Sequence, residues 1–62
     1  MRILLDVMGG DRPPQELIRG GIAAAHNQSI HIAFAGDSRI IEAALAEAGE
    51  RLGERFSIVP ST

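Results

Sequence analysis

The run Arg2-Ile3-Leu4-Leu5-Asp6-Val7 is apolar apart from its first residue and one acidic break, and it predicts a short strand. Met8 to Pro14 then breaks every regular period. Gly9 and Gly10 admit backbone dihedrals that other residues resist, and Pro13 and Pro14 remove two donors. Proline suits the first helical position, so a helix is predicted from about Pro14. Leu17, Ile18, Gly21, Ile22 and Ala25 recur at helical spacing until His26-Asn27 ends the pattern. Gly20-Gly21 costs roughly 1 kcal/mol per residue relative to alanine, which suggests a helix held close against a sheet. In Ser29 to Ala35, Ile30, Ile32 and Phe34 share one face while His31, Ala33 and Ala35 share the other. Both faces are largely apolar, as in a buried strand of a parallel sheet. Gly36-Asp37-Ser38 forms a turn with two candidate helix caps, Asp37 and Ser38. A second helix follows over about Arg39 to Ala48, with Ile40, Ile41, Ala44, Leu45 and Ala48 inward and Gly49 as its terminator. Glu50 to Arg55 is a charged connector, and Phe56 to Val59 is a third strand closed by Pro60.

The predicted order is βαβαβ. Strands joined by helices run parallel through right-handed crossovers, which makes half of a doubly wound α/β sheet. Two helices on one face would leave the other face of the sheet bare, whereas parallel sheets are covered on both. The expectation is therefore that residues 1–62 are the N-terminal segment of a larger single α/β domain.

Composition narrows the function classes. Six arginines face eight acidic residues, a formal charge of −2 with no basic patch, which argues against nucleic acid. There is no cysteine, so disulfides, thiol nucleophiles and Cys-type zinc sites are excluded. His26 and His31 stand apart from any carboxylate cluster and predict no metal site. The opening apolar run stops at Asp6, short of a signal peptide, and nothing approaches the ~20 apolar residues of a membrane span. A cytoplasmic location is the default expectation.

In open parallel sheets the ligand crevice lies beyond the C-terminal ends of the strands. Three segments fall there: Met8 to Pro14, Gly36 to Ser38, and Pro60 onward. The first is the most unusual. Asp6 ends an apolar strand, Gly9 and Gly10 can turn main-chain N–H groups toward a ligand, and the following helix adds its positive end. Asp11 opposes an anion, by about 4 kcal/mol for unit charges 4 Å apart at an effective dielectric of 20. Arg12 would have to offset it. Asp6, Gly9, Gly10, Asp11 and Arg12 are the candidate phosphate- or substrate-binding residues, with a purely turn-building role as the alternative. Neither a Walker A pattern nor GxGxxG is present, and no catalytic residue can be assigned.

The same stretch, Arg2 to Pro14 with Met8-Gly9-Gly10-Asp11 at its centre, resembles the N-terminus of the PlsX-type phosphate acyltransferases. The later order of elements is similar as well. The resemblance implies a Rossmann-like three-layer α/β/α sandwich, usually a homodimer and in some members peripherally membrane-associated. It implies an acyltransferase of phospholipid synthesis that turns acyl-[acyl carrier protein] and inorganic phosphate into acyl phosphate, with no metal or organic cofactor. Arg12-Pro13 departs from the family's usual His-Ala. Imidazole can exchange a proton near neutral pH, whereas guanidinium stays charged and only donates hydrogen bonds. Two other readings stay open: a phosphotransacetylase-like enzyme of short-chain acyl phosphates, and a non-catalytic α/β binding or dimerisation module.

Overall fold

The computed structural model describes residues 1–60. It contains β1 (Arg2–Asp6), α1 (Pro14–Gln28), β2 (His31–Gly36), α2 (Ser38–Glu47) and β3 (Phe56–Pro60). All pairings are parallel, and the strand order β1-β2-β3 puts β2 in the centre. Leu5, Phe34 and Ile58 lie side by side across the sheet, as do Leu4, Ala33 and Ser57.

The element boundaries move slightly from those the pattern predicts. Val7 falls just past β1, yet it is buried and its N–H still donates to Ala35 O at 3.0 Å. The first helix runs on to Gln28, because its left-handed terminating residue is Ser29 (φ 52°) rather than anything at His26-Asn27. Between the two caps considered, Asp37 is the one used: its Oδ1 accepts from Arg39 N–H at 2.9 Å, and Ser38 begins the helix. At the other end of α2, Gly49 (φ 75°) makes the left-handed turn. Glu50 N–H reaches Leu45 O at 2.8 Å and Gly49 N–H reaches Ala46 O at 3.0 Å, the paired bonds of a Schellman motif. Ala48, placed on the inner stripe by periodicity, is this helix's exposed C-cap.

Sequential strands with crossovers of one hand place both helices on the same side of the sheet. There Ile18, Ile22 and Ala25 of α1 and Ile41 and Leu45 of α2 cover Val7, Ile32, Phe34 and Phe56. The Phe34 and Phe56 rings stack at 5.9 Å. Gly21 is the reason α1 can lie so near: a Cβ there would stand 2.7 Å from Phe34 Cε1 and 3.2 Å from Leu5 Cδ2. The neighbouring Gly20 has open space around its Cα, so only one of the two glycines serves the close approach. The opposite face of the sheet has no helix over it among the described residues. Leu4, 65% exposed, and Val59, 47% exposed, lie on that face.

Candidate functional site

The loop between β1 and α1 stands at the C-terminal end of β1, beside the β2–α2 turn. Asp6 organises its start. Asp6 Oδ1 accepts the Met8 N–H at 2.9 Å, a side-chain-closed turn, and Oδ2 lies over Gly9, where an added Cβ would approach it to 3.1 Å. Gly10 is exposed and nothing lies within 4 Å of where its Cβ would be. Neither glycine has positive φ, so their value in this loop is absence of a side chain rather than a left-handed turn.

Gly36 ties the two loops together. It has φ +155°, and a Cβ there would stand 2.6 Å from Met8 Cγ and 3.0 Å from Val7 Cγ2. The missing side chain thus makes room for Val7 and Met8 to pack across the end of β2. The sequence signal for this was a glycine closing a buried strand directly before a helix cap.

Charge around the loop is mostly negative. Arg12 pairs with Glu16, Nη1 to Oε1 at 3.0 Å, and not with Asp11. Both partners are exposed, and such pairs contribute only about 0.2–1 kcal/mol, so the guanidinium can be drawn to a stronger anion at little cost. At the start of α1, Glu16 N–H and Leu17 N–H both point to Pro13 O, at 3.0 and 3.3 Å. Pro14 has no N–H, which leaves Gln15 N–H as the first-turn amide outside this pattern among the described residues. Of the carboxylates Asp6, Asp11 and Glu16 in this region, Glu16 is the one that Arg12 pairs with among the described residues. Asp6 lies against Gly9, while Gly10, Asp11 and Arg12 are exposed residues of the same loop.

The histidines lie at the other end of the sheet. Arg55 Nη1 donates to His26 Nδ1, which leaves Nε2–H to donate to Glu50 Oε2 at 2.8 Å. His31 Nδ1–H donates to Glu54 O at 2.8 Å, so its Nε2 accepts from Ser57 Oγ–H at 2.9 Å. This serine–histidine contact, which nothing in the linear pattern suggests, clamps β2 to β3. Both rings are far along the chain from the glycine loop and neither belongs to a cluster of three potential metal ligands among the described residues. The third predicted crevice segment, Pro60 onward, lies outside the described residues beyond Pro60. No described helix is long and apolar enough to cross a membrane.

Comparison with known proteins gives a consistent result. A family model described as "Fatty acid synthesis protein" matches residues 1–62. The chain is 48% identical over 46 residues to the phosphate acyltransferase of Moorella thermoacetica, covering 74% of this chain and 14% of that protein. It is 40% identical over 62 residues to the Heliobacterium modesticaldum phosphate acyltransferase, 100% of this chain and 18% of that one. With the Desulforamulus reducens phosphate acyltransferase it shares 42% over 59 residues, 95% of this chain and 17% of the relative. The chain thus spans less than a fifth of the length of the relatives it matches.

Proposed function

Because this chain belongs to the PlsX-type phosphate acyltransferase family, we propose that it forms the phosphate-binding corner of an enzyme making acyl phosphate from acyl-[acyl carrier protein] and inorganic phosphate. It is, on this reading, the N-terminal segment of a larger α/β domain. The observation that carries the reading is the exposed, side-chain-free Gly10 backbone beside Arg12, at the strand end where parallel sheets bind ligands.

The reaction asks two things of the protein. A phosphate oxygen attacks the thioester carbonyl carbon, a C–O bond forms, and the carbonyl oxygen takes up negative charge. Collapse of that intermediate breaks the C–S bond, and the departing thiolate of the carrier protein takes the proton that the hydrogen phosphate gives up. The enzyme must hold a dianion at attacking distance and stabilise the oxyanion. Main-chain N–H groups of the Gly9-Gly10 turn and the Arg12 guanidinium serve the first need. Asp6 shapes the turn through Met8 N–H, and an Asp11 carboxylate turned toward the anion would favour its protonated oxygen over a bare one. Arg12 stands where family members usually carry histidine, so at this position it binds phosphate and does not relay a proton.

The test is a chimera in which this chain replaces the aligned first segment of the Heliobacterium modesticaldum phosphate acyltransferase. Phosphate-dependent thiol release from acyl-[acyl carrier protein] is the expected result. Release only from short-chain acyl-CoA would favour the phosphotransacetylase-like reading, and a folded chimera inactive with both would leave a structural module.

A further inference from the structure

Gly36 lies outside the glycine loop, yet it governs where that loop starts. Its own backbone has little freedom to move. Strand pairing sets Asp6 opposite Ala35 on one side and Gly36 opposite Pro60 on the other. Val7 N–H donates to Ala35 O at 3.0 Å. Directly after Gly36, Asp37 is held as the cap of α2: its Oδ1 accepts from Arg39 N–H at 2.9 Å and its carbonyl from Ile41 N–H at 3.1 Å. Gly36 is buried between these anchors.

The segment it faces is held far less firmly. Among the described residues, the backbone of residues 8–12 is tied by one hydrogen bond, from Met8 N–H to Asp6 Oδ1 at 2.9 Å. Met8, Gly9 and Gly10 are all exposed. The Met8 side chain makes the second attachment. It lies across the bare Cα of Gly36, where an added Cβ would stand 2.6 Å from Met8 Cγ and 3.2 Å from Met8 Sδ. Carbon atoms rest about 3.5–4.0 Å apart, so a methyl group at Gly36 would displace Met8 Cγ by about 1 Å. Because Cγ is only two bonds from Cα, the flexible end of the side chain cannot absorb this. Either the Met8 main chain shifts or the whole side chain swings off its seat.

We infer that Gly36 is a positioning residue for the phosphate site, acting through Met8 on the Gly9-Gly10 turn. This rests on the proposed function, in which the Gly9 and Gly10 amides hold phosphate. Two constraints then set the turn. Asp6 holds the Met8 amide by a hydrogen bond, and Gly36 gives the Met8 side chain its place by leaving room for it. Main-chain donors hold an anion only within a narrow range, since N–H···O distances span about 2.7–3.2 Å. A shift of about 1 Å takes a donor out of that range. Gly36 also has a structural reason to be glycine, because its φ of +155° strains any other residue. The two reasons are separable. The φ strain and the 3.0 Å approach to Val7 Cγ2 persist whatever stands at position 8, whereas the collision with Cγ and Sδ goes when the Met8 side chain is cut back.

A double-mutant cycle in the same chimera tests this. Gly36→Ala should lower the Tm and raise the phosphate KM at least about tenfold, as loss of one hydrogen bond to a charged group does. Its kcat at saturating phosphate should stay within about threefold of the parent. Met8→Ala empties the seat but leaves the Asp6 bond, so it should raise the phosphate KM only about threefold, with the Tm little changed. In the double variant the phosphate KM should return to the Met8→Ala value while the Tm stays at the Gly36→Ala level. A Gly36→Ala effect on KM that is equal in both backgrounds, or absent from both, would overturn the inference and leave Gly36 a structural glycine. Should Gly36→Ala not fold, Met8→Ala decides alone, and an unchanged phosphate KM overturns the inference. A parent chimera without phosphate-dependent turnover would instead sink the proposed function. The Gly9 and Gly10 amide resonances then read the positioning of the turn without substrate. They should move in Gly36→Ala and return to their Met8→Ala positions in the double variant; resonances indifferent to Gly36→Ala would overturn the link.

Discussion

Gly9, Gly10 and Arg12 are adjacent in the chain but physically unlike. At Gly9 a side chain would press on Asp6 Oδ2, whereas at Gly10 it would enter open solvent. Gly10→Val is therefore a probe of ligand approach with little direct effect on folding. In the chimera it should lower kcat/KM for phosphate at least about tenfold, or ~1.4 kcal/mol, with thermal stability unchanged. Unaltered kinetics would show that the Gly10 backbone never meets phosphate. Arg12→Ala should raise the phosphate KM while the Tm moves little, since the Arg12–Glu16 pair is exposed. A phosphate dependence indifferent to the change would leave Arg12 with Glu16 alone. The glycines and Arg12 were legible as candidates from composition of the loop. The pairing of Arg12 was not, because Asp11 and Glu16 are both within its reach along the chain and only the helix start decides between them.

Helix and strand identity followed from periodicity, since the apolar spacing of α1 and α2 is set by which residues must face the sheet. Ends were less readable. A helix persists until some residue adopts the left-handed turn, and at α1 that residue is Ser29, whose composition does not announce it. The value of Gly21 over Gly20 was equally hidden, because it depends on where Phe34 stands on another element. Two substitutions test the elements in the chimera by urea denaturation. Gly21→Ala forces a Cβ to 2.7 Å from Phe34 Cε1 and should cost about 1–3 kcal/mol, despite alanine's better helix propensity. Asp37→Ala removes the acceptor of Arg39 N–H and should cost about 1 kcal/mol. A stabilised Gly21→Ala protein would mean that α1 does not approach β2 as closely as described.

The whole molecule is compact in extent but generous in surface. Its radius of gyration of 10.3 Å is close to the ~10.6 Å typical of 62 residues. Its accessible surface of 4243 Å² is about a tenth above the ~3,900 Å² of a monomer of this mass. The excess fits a sheet bare on one face. On its own, the 62-residue chain should be largely unfolded or aggregated, with weak helical circular dichroism and no cooperative thermal transition. A sharp, reversible melt of a monomer would show that one covered face suffices.

What the amino-acid order determined by itself was local: five elements, their kinds, the parallel sense of the strands and the odd chemistry of Met8 to Pro14. These depend on spacing within about a dozen residues, which the chain carries wherever it lies. Tertiary structure alone decided that β2 is central, that Gly36 seats Val7 and Met8, and that His31 meets Ser57. Each of those depends on groups brought together across the sheet, and apolar spacing records only that a residue is buried, not which neighbour buries it.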